Sequence, residues 1–342
     1  MDVAAAVFNE GALARRLREA GIEVSVISER EHSPVSLLLK LRRLIAEWKP
    51  DVVHTHRFKE NVLGSIANAL SENAPSLRTV HGSPEHSRKS LRHLPAAAVD
   101  RLDLLCGRHL QRLIVAVSDE LAEELRRFFP PGRVIVIENG LDVPLALSQA
   151  RPADFLQAEP DALHIGIVGR LVPVKRHDIF LRMAAALVQR SPATRWRFHV
   201  LGSGPLLSSL LEQARSLGTA GVTTFHGHRE DIVSCIASLR VLVICSDHEG
   251  LPMTLLESLA VGTSIVAHAV GGIPNVLQGL PGVRQVRQHD ANTYADAILD
   301  LLRDATDHGS ELRERVSQRF TAELNAERFC AAYRSLVGRS LP

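Results

Sequence analysis

Val241-Leu242-Val243-Ile244-Cys245, running on through Ser246-Asp247-His248 into Glu249-Gly250-Leu251-Pro252-Met253-Thr254-Leu255-Leu256-Glu257, is the stretch whose reading decides the fold. The first five residues are apolar without alternation and mostly β-branched, which is the pattern of a short strand buried on both faces of a parallel sheet. A helix follows. Pro252 suits its first position, Leu255, Leu256 and Leu259 form an apolar stripe, and Gly262 fits a left-handed cap. Glu249 therefore falls on a strand-to-helix loop and Glu257 inside the helix. In open α/β sheets such loops gather at the carboxyl edge of the strands, where ligands bind, and the helix start carries partial positive charge. Glu249 is expected to stay ionised there and accept hydrogen bonds. Glu257 is expected roughly 8–12 Å away, from the helical rise and a short loop, a gap that suits a ligand with hydroxyls at both ends. Two solvated helix-end acids are the plainer explanation of this stretch taken alone.

Working outward, the same alternation runs in both directions. Strand patterns recur at 164–168, 197–201, 222–225 and 264–267, each followed by loop glycine or proline and then a helical pattern. Upstream, strands are read at 22–27, 51–54, 77–80, 113–117 and 134–137, with helices at 34–49, 61–70, 85–112 and 119–129, the last capped by Ser118. Strands alternating with helices imply parallel sheets with right-handed crossovers, hence an α/β protein with two such units. Residues 3–19 set Ala6, Phe8, Leu13 and Leu17 at helical spacing, so the chain is expected to open on a helix and to lack a first strand. The stretch 144–161, rich in Pro, Ala and Asp, reads as the connection between units. The expected domains are thus 1–143, a linker at 144–161, 162–320, and a C-terminal helix at 321–342.

Composition narrows the class. A chain of 342 residues is comfortable for two domains, and a formal net charge of only +2 with interspersed signs argues against nucleic acid as a partner. The four cysteines are scattered without a C-x-x-C pair, which points to a reducing, cytoplasmic setting. No apolar run approaches the length needed to cross a bilayer, and the first residues lack a basic, then apolar, leader pattern. Membrane contact is therefore expected to be peripheral. Lys40, Arg42 and Arg43, or the basic stretch 88–112, are its candidates, although acids nearby balance them.

The candidate chemistry lies where several loops of the second unit share one sheet edge. Gly169-Arg170-Leu171-Val172-Pro173-Val174-Lys175 brings two cations into one loop; Arg170 can fork onto phosphate oxygens and Lys175 adds a point charge. Gly202-Ser203-Gly204-Pro205 lets backbone come close to a ligand, and Gly271-Gly272-Ile273-Pro274 is expected to aim the amides of a helix start at an anion. Each alone is more often a turn or a solvated charge. With Glu249, Gly250, Leu251 and Glu257 they describe a diphosphate flanked by two polyols, a nucleotide sugar. His54 with His56, and His226 with His228, have the one-residue spacing that sets two imidazoles on one strand face, but no third ligand with suitable spacing accompanies either pair, so no metal is expected.

Gly169-Arg170 with Lys175, the Glu249 and Glu257 pair, Gly271-Gly272-Ile273-Pro274, His81-Gly82 and Asn139-Gly140-Leu141-Asp142 together resemble the retaining GT-B glycosyltransferases of family GT4, the glycosyl transferases group 1. The resemblance implies two Rossmann-like domains facing across a cleft, the nucleotide sugar donor mainly on the second, the acceptor mainly on the first, and the final helix packing back towards the first. It implies that Arg170 and Lys175 neutralise the departing diphosphate, that Glu257 holds the ribose hydroxyls, that Glu249 contacts the transferred sugar, and that His81 lies beside that sugar. It implies a glycan or glycolipid acceptor and a role in surface polysaccharide synthesis, with a UDP-sugar as the donor most frequent in the family. The sequence contains no Asp-x-Asp, so the diphosphate is expected to be held without metal or other cofactor. No protein nucleophile stands out, and same-face attack by the acceptor hydroxyl accounts for retention without one.

Three departures from the family pattern stand out. The first strand and its Gly-Gly loop are not evident, Asn275 stands where an acid often follows Gly-Gly-Ile-Pro, and His177 stands where glycine often follows the loop lysine. Two other classes remain: a non-catalytic relative that only binds sugar nucleotide, and a sugar-nucleotide epimerase on a similar fold. Product formed without an acceptor would mark the epimerase; turnover lost with Glu249→Ala would exclude the non-catalytic relative.

Overall fold

The structure, a computed structural model, describes residues 1–82, 94–304 and 306–338. Its residues fall into two compact units: one comprises 1–116, 122–135 and the end of the chain from 330, the other 117–121 and 136–329.

The first unit runs β1 (Ala4–Val7), α1 (Ala12–Glu19), β2 (Glu23–Val26), α2 (Pro34–Trp48), β3 (Val53–His56), α3 (Phe58–Ala69), β4 (Ser76–Val80), α4 (Leu94–His109), β5 (Leu113–Ala116), α5 (Asp119–Leu125) and β6 (Val134–Val136). The expected opening helix is corrected here. Ala4–Val7 is a strand, paired in parallel with β2 over four residues, and the helix begins only at Ala12. Alanine favours helix locally, but the ladder to β2 outweighs that preference of a few tenths of a kcal/mol per residue. No glycine pair precedes α1; Phe8, Asn9, Glu10 and Gly11 make the turn. The strands form two pieces, β1-β2 and β3-β4-β5-β6, with β3, β4 and β5 parallel. Helix α2 shows why its sequence folds as it does: Ser33 caps it by accepting from Ser36 N, and Leu37, Leu41 and Ile45, four residues apart, are its buried stripe. Of the basic stretch read as helix at 85–112, the part before Leu94 lies outside the described residues.

The second unit adds α6 (Val143–Gln149), α7 (Asp154–Ala158), β7 (Leu163–Val168), α8 (His177–Arg190), β8 (Trp196–Leu201), α9 (Leu207–Ser216), β9 (Thr223–Gly227), α10 (Ile232–Ala237), β10 (Val241–Ile244), α11 (Met253–Val261), β11 (Ser264–His268), α12 (Ile273–Leu277), β12 (Val283–Val286), α13 (Ala291–Arg303), α14 (Gly309–Arg319) and α15 (Ala322–Val337), whose last turns belong to the first unit. Its six strands form one sheet in the order β12-β11-β10-β7-β8-β9, every neighbouring pair parallel. That is the doubly wound Rossmann order, with its switch between β7 and β10. Two expectations change. The stretch 144–161, read as the connection between units, carries α6, capped by Asp142 accepting from Leu145 N, and α7. Strand β12 was not foreseen, because Val-Arg-Gln-Val is short, lies at the sheet edge and has two polar residues at its centre, which break the apolar run. The core of this sheet is closely packed: Ile165, Phe180, Phe198, Val243, Val266 and Tyr294 are all fully buried within it. Among the described residues no helix is long and apolar enough to cross a membrane.

Candidate functional site

The switch between β7 and β10 is where the sequence placed its cations and acids. After β7 the chain turns through Gly169 and Arg170 into a short 3-10 turn, Pro173–Lys175. After β10 it passes through Asp247 and Glu249 to α11. The two loops are laced together: Asp247 N donates to Val174 O at 2.8 Å, and Lys175 Nζ donates to Glu249 Oε1 at 2.5 Å. Glu249 thus accepts a charge-assisted bond, as its position at the strand end predicts. Both side chains are largely covered, at 24% and 11% exposure, so solvent screens their attraction only in part. Arg170 is exposed on the same loop. Pro252 lies one position earlier than expected, as the N-cap of α11, and Gly262 closes the helix in the left-handed region at φ 79°. Glu257, within α11, is half-buried and has no hydrogen-bond partner among the described residues, and burial raises its carboxyl above the usual range.

The glycines act differently from expectation. A Cβ on Gly202 would overlap the Gly169 carbonyl, on Gly204 the Leu171 carbonyl, and on Gly271 the Glu249 carbonyl. Gly202 and Gly271 also stand at φ 140° and 59°. Their close approach is to the neighbouring loop, fastened by Gly169 N to Leu201 O at 2.9 Å, Leu171 N to Ser203 O at 3.0 Å and Gly272 N to Gly250 O at 2.6 Å. Of the helix-start amides expected to face an anion in Gly271-Gly272-Ile273-Pro274, Gly272 N donates to Gly250 O and Ile273 N to Val270 O, and Pro274 has no N–H. Gly250 and Leu251 are buried beneath these loops, and Asn139 Nδ2 donates to Leu251 O at 2.8 Å.

The departure assigned to His177 belongs one residue earlier. Arg176 holds the left-handed conformation after the lysine, at φ 51°. Its guanidinium binds Asp178 at 2.9 Å and Asp247 at 3.1 Å, contacts that offset a backbone cost of about 1 kcal/mol or more. This Arg176-Asp178-Asp247 cluster was missed by sequence reasoning; the Arg-x-Asp spacing was its one visible signal. His177 is the first residue of α8, fully buried, and burial holds it neutral with a pKa pulled down to about 4. Asn275 donates to Asp119 Oδ2 at 3.3 Å, a contact that an acid there could not make.

His81 directly follows β4 in the first unit. Its Nε2 lies 3.1 Å from His56 Nδ1, and His56 stacks against His54, ring centres 4.2 Å apart. His54 is held at both nitrogens, by Tyr333 Oη at 2.7 Å and Thr79 Oγ1 at 2.8 Å. A second row crosses the other sheet: His164, His199 and His226 are joined by two ring-to-ring bonds of 2.9 Å, and His164 Nε2 donates to Glu159 O. That terminal carbonyl can only accept, so every ring in the row carries its proton on Nε2. His226 is thereby a member of a hydrogen-bonded ladder rather than half of a pair with His228. Among the described residues no group of three or more His, Cys, Asp or Glu is placed to hold a metal ion.

The chain was compared with known proteins. Residues 162–304 match the family described as "Glycosyl transferases group 1", and residues 11–144 match "Glycosyltransferase Family 4". The chain is 30% identical over 311 residues to a D-inositol 3-phosphate glycosyltransferase of Kribbella flavida, covering 83% of this chain and 71% of that one. To the enzyme of the same name from Saccharomonospora viridis it is 29% identical over 270 residues, spanning 61% of that protein's length and 72% of its own. Among solved structures, Anabaena HepE crystallised with UDP-glucose superposes with a TM-score of 0.83 at 19% identity, over 96% of this chain and 91% of that one. At that identity the likeness speaks for the fold.

Proposed function

Because the chain belongs to glycosyltransferase family 4, we propose that it moves a sugar from a nucleotide diphosphate sugar, a UDP-sugar, to a hydroxyl of a glycan or glycolipid acceptor, with retention and without a metal. The observation that carries this reading is the Lys175-Glu249 pair at the switch of the doubly wound sheet, with the unpartnered Glu257 in the helix that follows. Breaking the anomeric bond develops negative charge on the diphosphate, and fixed cations stabilise it where it appears. Arg170 and Lys175 serve that role. Glu249 orients the Lys175 ammonium with one oxygen and has a second for the hydroxyls of the transferred sugar. Glu257 accepts from the ribose hydroxyls, which supply the partners its carboxylate lacks. His81 lies beside the sugar, and the acceptor hydroxyl attacks on the face the diphosphate leaves, which retains configuration. The UDP-glucose named for the Anabaena structure and the glycosyltransferase names of the curated relatives support the donor and reaction class.

With the role proposed in surface polysaccharide synthesis, the proposed location is the cytoplasm, with peripheral contact at the inner face of the cell membrane. Helix α2 supports peripheral contact: Val35 and Leu39 are 67% and 57% exposed beside Lys40 and Arg43. A thermal-shift panel of UDP-, GDP- and ADP-sugars tests the donor, with stabilisation expected from UDP-sugars. Transfer measured in EDTA tests metal independence, and sedimentation with anionic vesicles tests the membrane face. Donor turnover unaffected by Glu249→Ala would overturn the site.

A further inference from the structure

Between His54 and His81 stands a residue that the reaction as described does not use. His56 is the last residue of β3, and the backbone after it turns sharply: Arg57 lies at φ 63°, ψ 167°, a region that residues other than glycine rarely occupy. That turn leaves the His56 ring between two others. On one side is His54, immobilised at both nitrogens by Tyr333 and Thr79. On the other is His81, whose Nε2 meets His56 Nδ1 at 3.1 Å, the rings stacked with centres 5.4 Å apart. The last residue of β3 and the residue just after β4, on adjacent parallel strands, thus form a row built on a fixed base. Nδ1 of His81 has no partner among the described residues.

We propose that His56 is a positioning residue for His81: by binding Nε2, it fixes the ring so that Nδ1 is the atom presented to the transferred sugar. The inference rests on the glycosyltransferase reading only for the identity of what His81 meets. A nitrogen-to-nitrogen bond needs one ring to donate and the other to accept, and a neutral imidazole can do either. Partial desolvation and the Arg57 charge lower the affinity of both rings for a second proton, and His81 adds to this at His56. The groups facing the pair are His54, on the strand that carries His56, and Arg57 beyond it. The pair has two neutral arrangements: His56 Nδ1–H donating, with His81 protonated on Nδ1, and His81 Nε2–H donating, with His81 Nδ1 an acceptor. Passing between them moves the shared proton while one proton leaves or joins His81 Nδ1 and another joins or leaves His56 Nε2, and the ring keeps its place. A sugar hydroxyl can be met in either sense.

Two measurements test this. Long-range nitrogen NMR of the full chain, with histidine ring nitrogens labelled, should show coupling between His56 Nδ1 and His81 Nε2, lost in His56→Leu; its absence from the wild type overturns the inference whatever the protein's activity. In donor turnover, His56→Leu should lower kcat about five- to tenfold, the worth of one ordered hydrogen bond, and leave KM for the donor nearly unchanged. His56→Asn, whose amide reaches the place of Nδ1, should recover most of the loss. In a His81→Ala background His56→Leu should cost nothing further. An equal loss in both backgrounds would mean His56 acts elsewhere and overturns the proposal. Wild-type protein that turns over no donor at all would instead overturn the glycosyltransferase reading, leaving the NMR result to decide the contact.

Discussion

Arg78 on β4 and Lys175 after β7 are both cations held by an acid, and they are placed in opposite ways. Arg78 binds Asp103 at 2.7 Å with side chains 4% and 15% exposed, lies over the Phe129 ring at 4.7 Å, and sits near a buried chain of Gln111, Thr55 and Asn61. Lys175 binds Glu249 at the carboxyl edge of a sheet whose interior is apolar. The first pair is enclosed and holds α4 to the sheet; the second is at a rim where a ligand can reach it. Burial decides the difference, because an enclosed charge has only its partner to replace water. Asp103 shows the cost directly: desolvation raises its pKa even with Arg78 in contact.

Removing one partner from each pair should separate architecture from chemistry. Asp103→Ala leaves a buried, unpaired guanidinium and is expected to cost about 3–5 kcal/mol in urea unfolding; a loss below 1 kcal/mol would show that water reaches Arg78. Glu249→Ala should leave unfolding within about 1 kcal/mol of the wild type, as for a partly solvated pair, and lower turnover on the order of a hundredfold or more. If stability and activity fell together in both variants, the contrast would fail.

Acid should act more strongly than either single contact suggests. His54 in the first unit and His177 and His199 in the second are held neutral by burial, with pKa values pulled down to about 3, about 4 and about 3. Each folded-state value lies below that of the unfolded chain, so the unfolded state takes up protons first and stability is lost as pH falls below about 6.5. Between pH 6.5 and 5 each should remove roughly 2 kcal/mol. Asp103 works in the other sense, its raised pKa favouring the fold when protonated. Thermal midpoints at pH 7 and pH 5 measure the net slope, and an unchanged midpoint would contradict the burial of these rings. At the small end, Arg43→Ala, which removes an exposed pair with Glu47 on α2, should shift stability by less than about 0.5 kcal/mol.

Legibility followed the same division. The second unit was readable because its central strands are largely apolar runs and helices such as α11, between Pro252 and Gly262, begin and end on turn-forming residues: β7, β8, β10 and β11 and the loops that carry Arg170, Lys175 and Glu249 all lie where pattern placed them, within a residue or two. Strand β12 escaped because Arg284 and Gln285 fill half of it. In the first unit Ala4–Val7 was misread because its four residues carry a helical preference that only the ladder to β2 overrides. The role of the glycines was half legible: tight loops were foreseen, but not that the close approach is from one loop to the next.

Residue order alone determined the two alternating β/α units, the sheet edge on which cations and acids gather, and the pairing of Glu249 with a charged environment, since periodicity, caps and turn residues act over a few positions. Only tertiary structure decided which strands are neighbours, that Lys175 reaches Glu249, that Arg176 rather than His177 takes the left-handed turn, and that His56 reaches His81 while Tyr333 anchors His54. Those contacts join residues 25 to 279 positions apart, and no local preference specifies a partner at such a distance; packing of the sheet and its helices does.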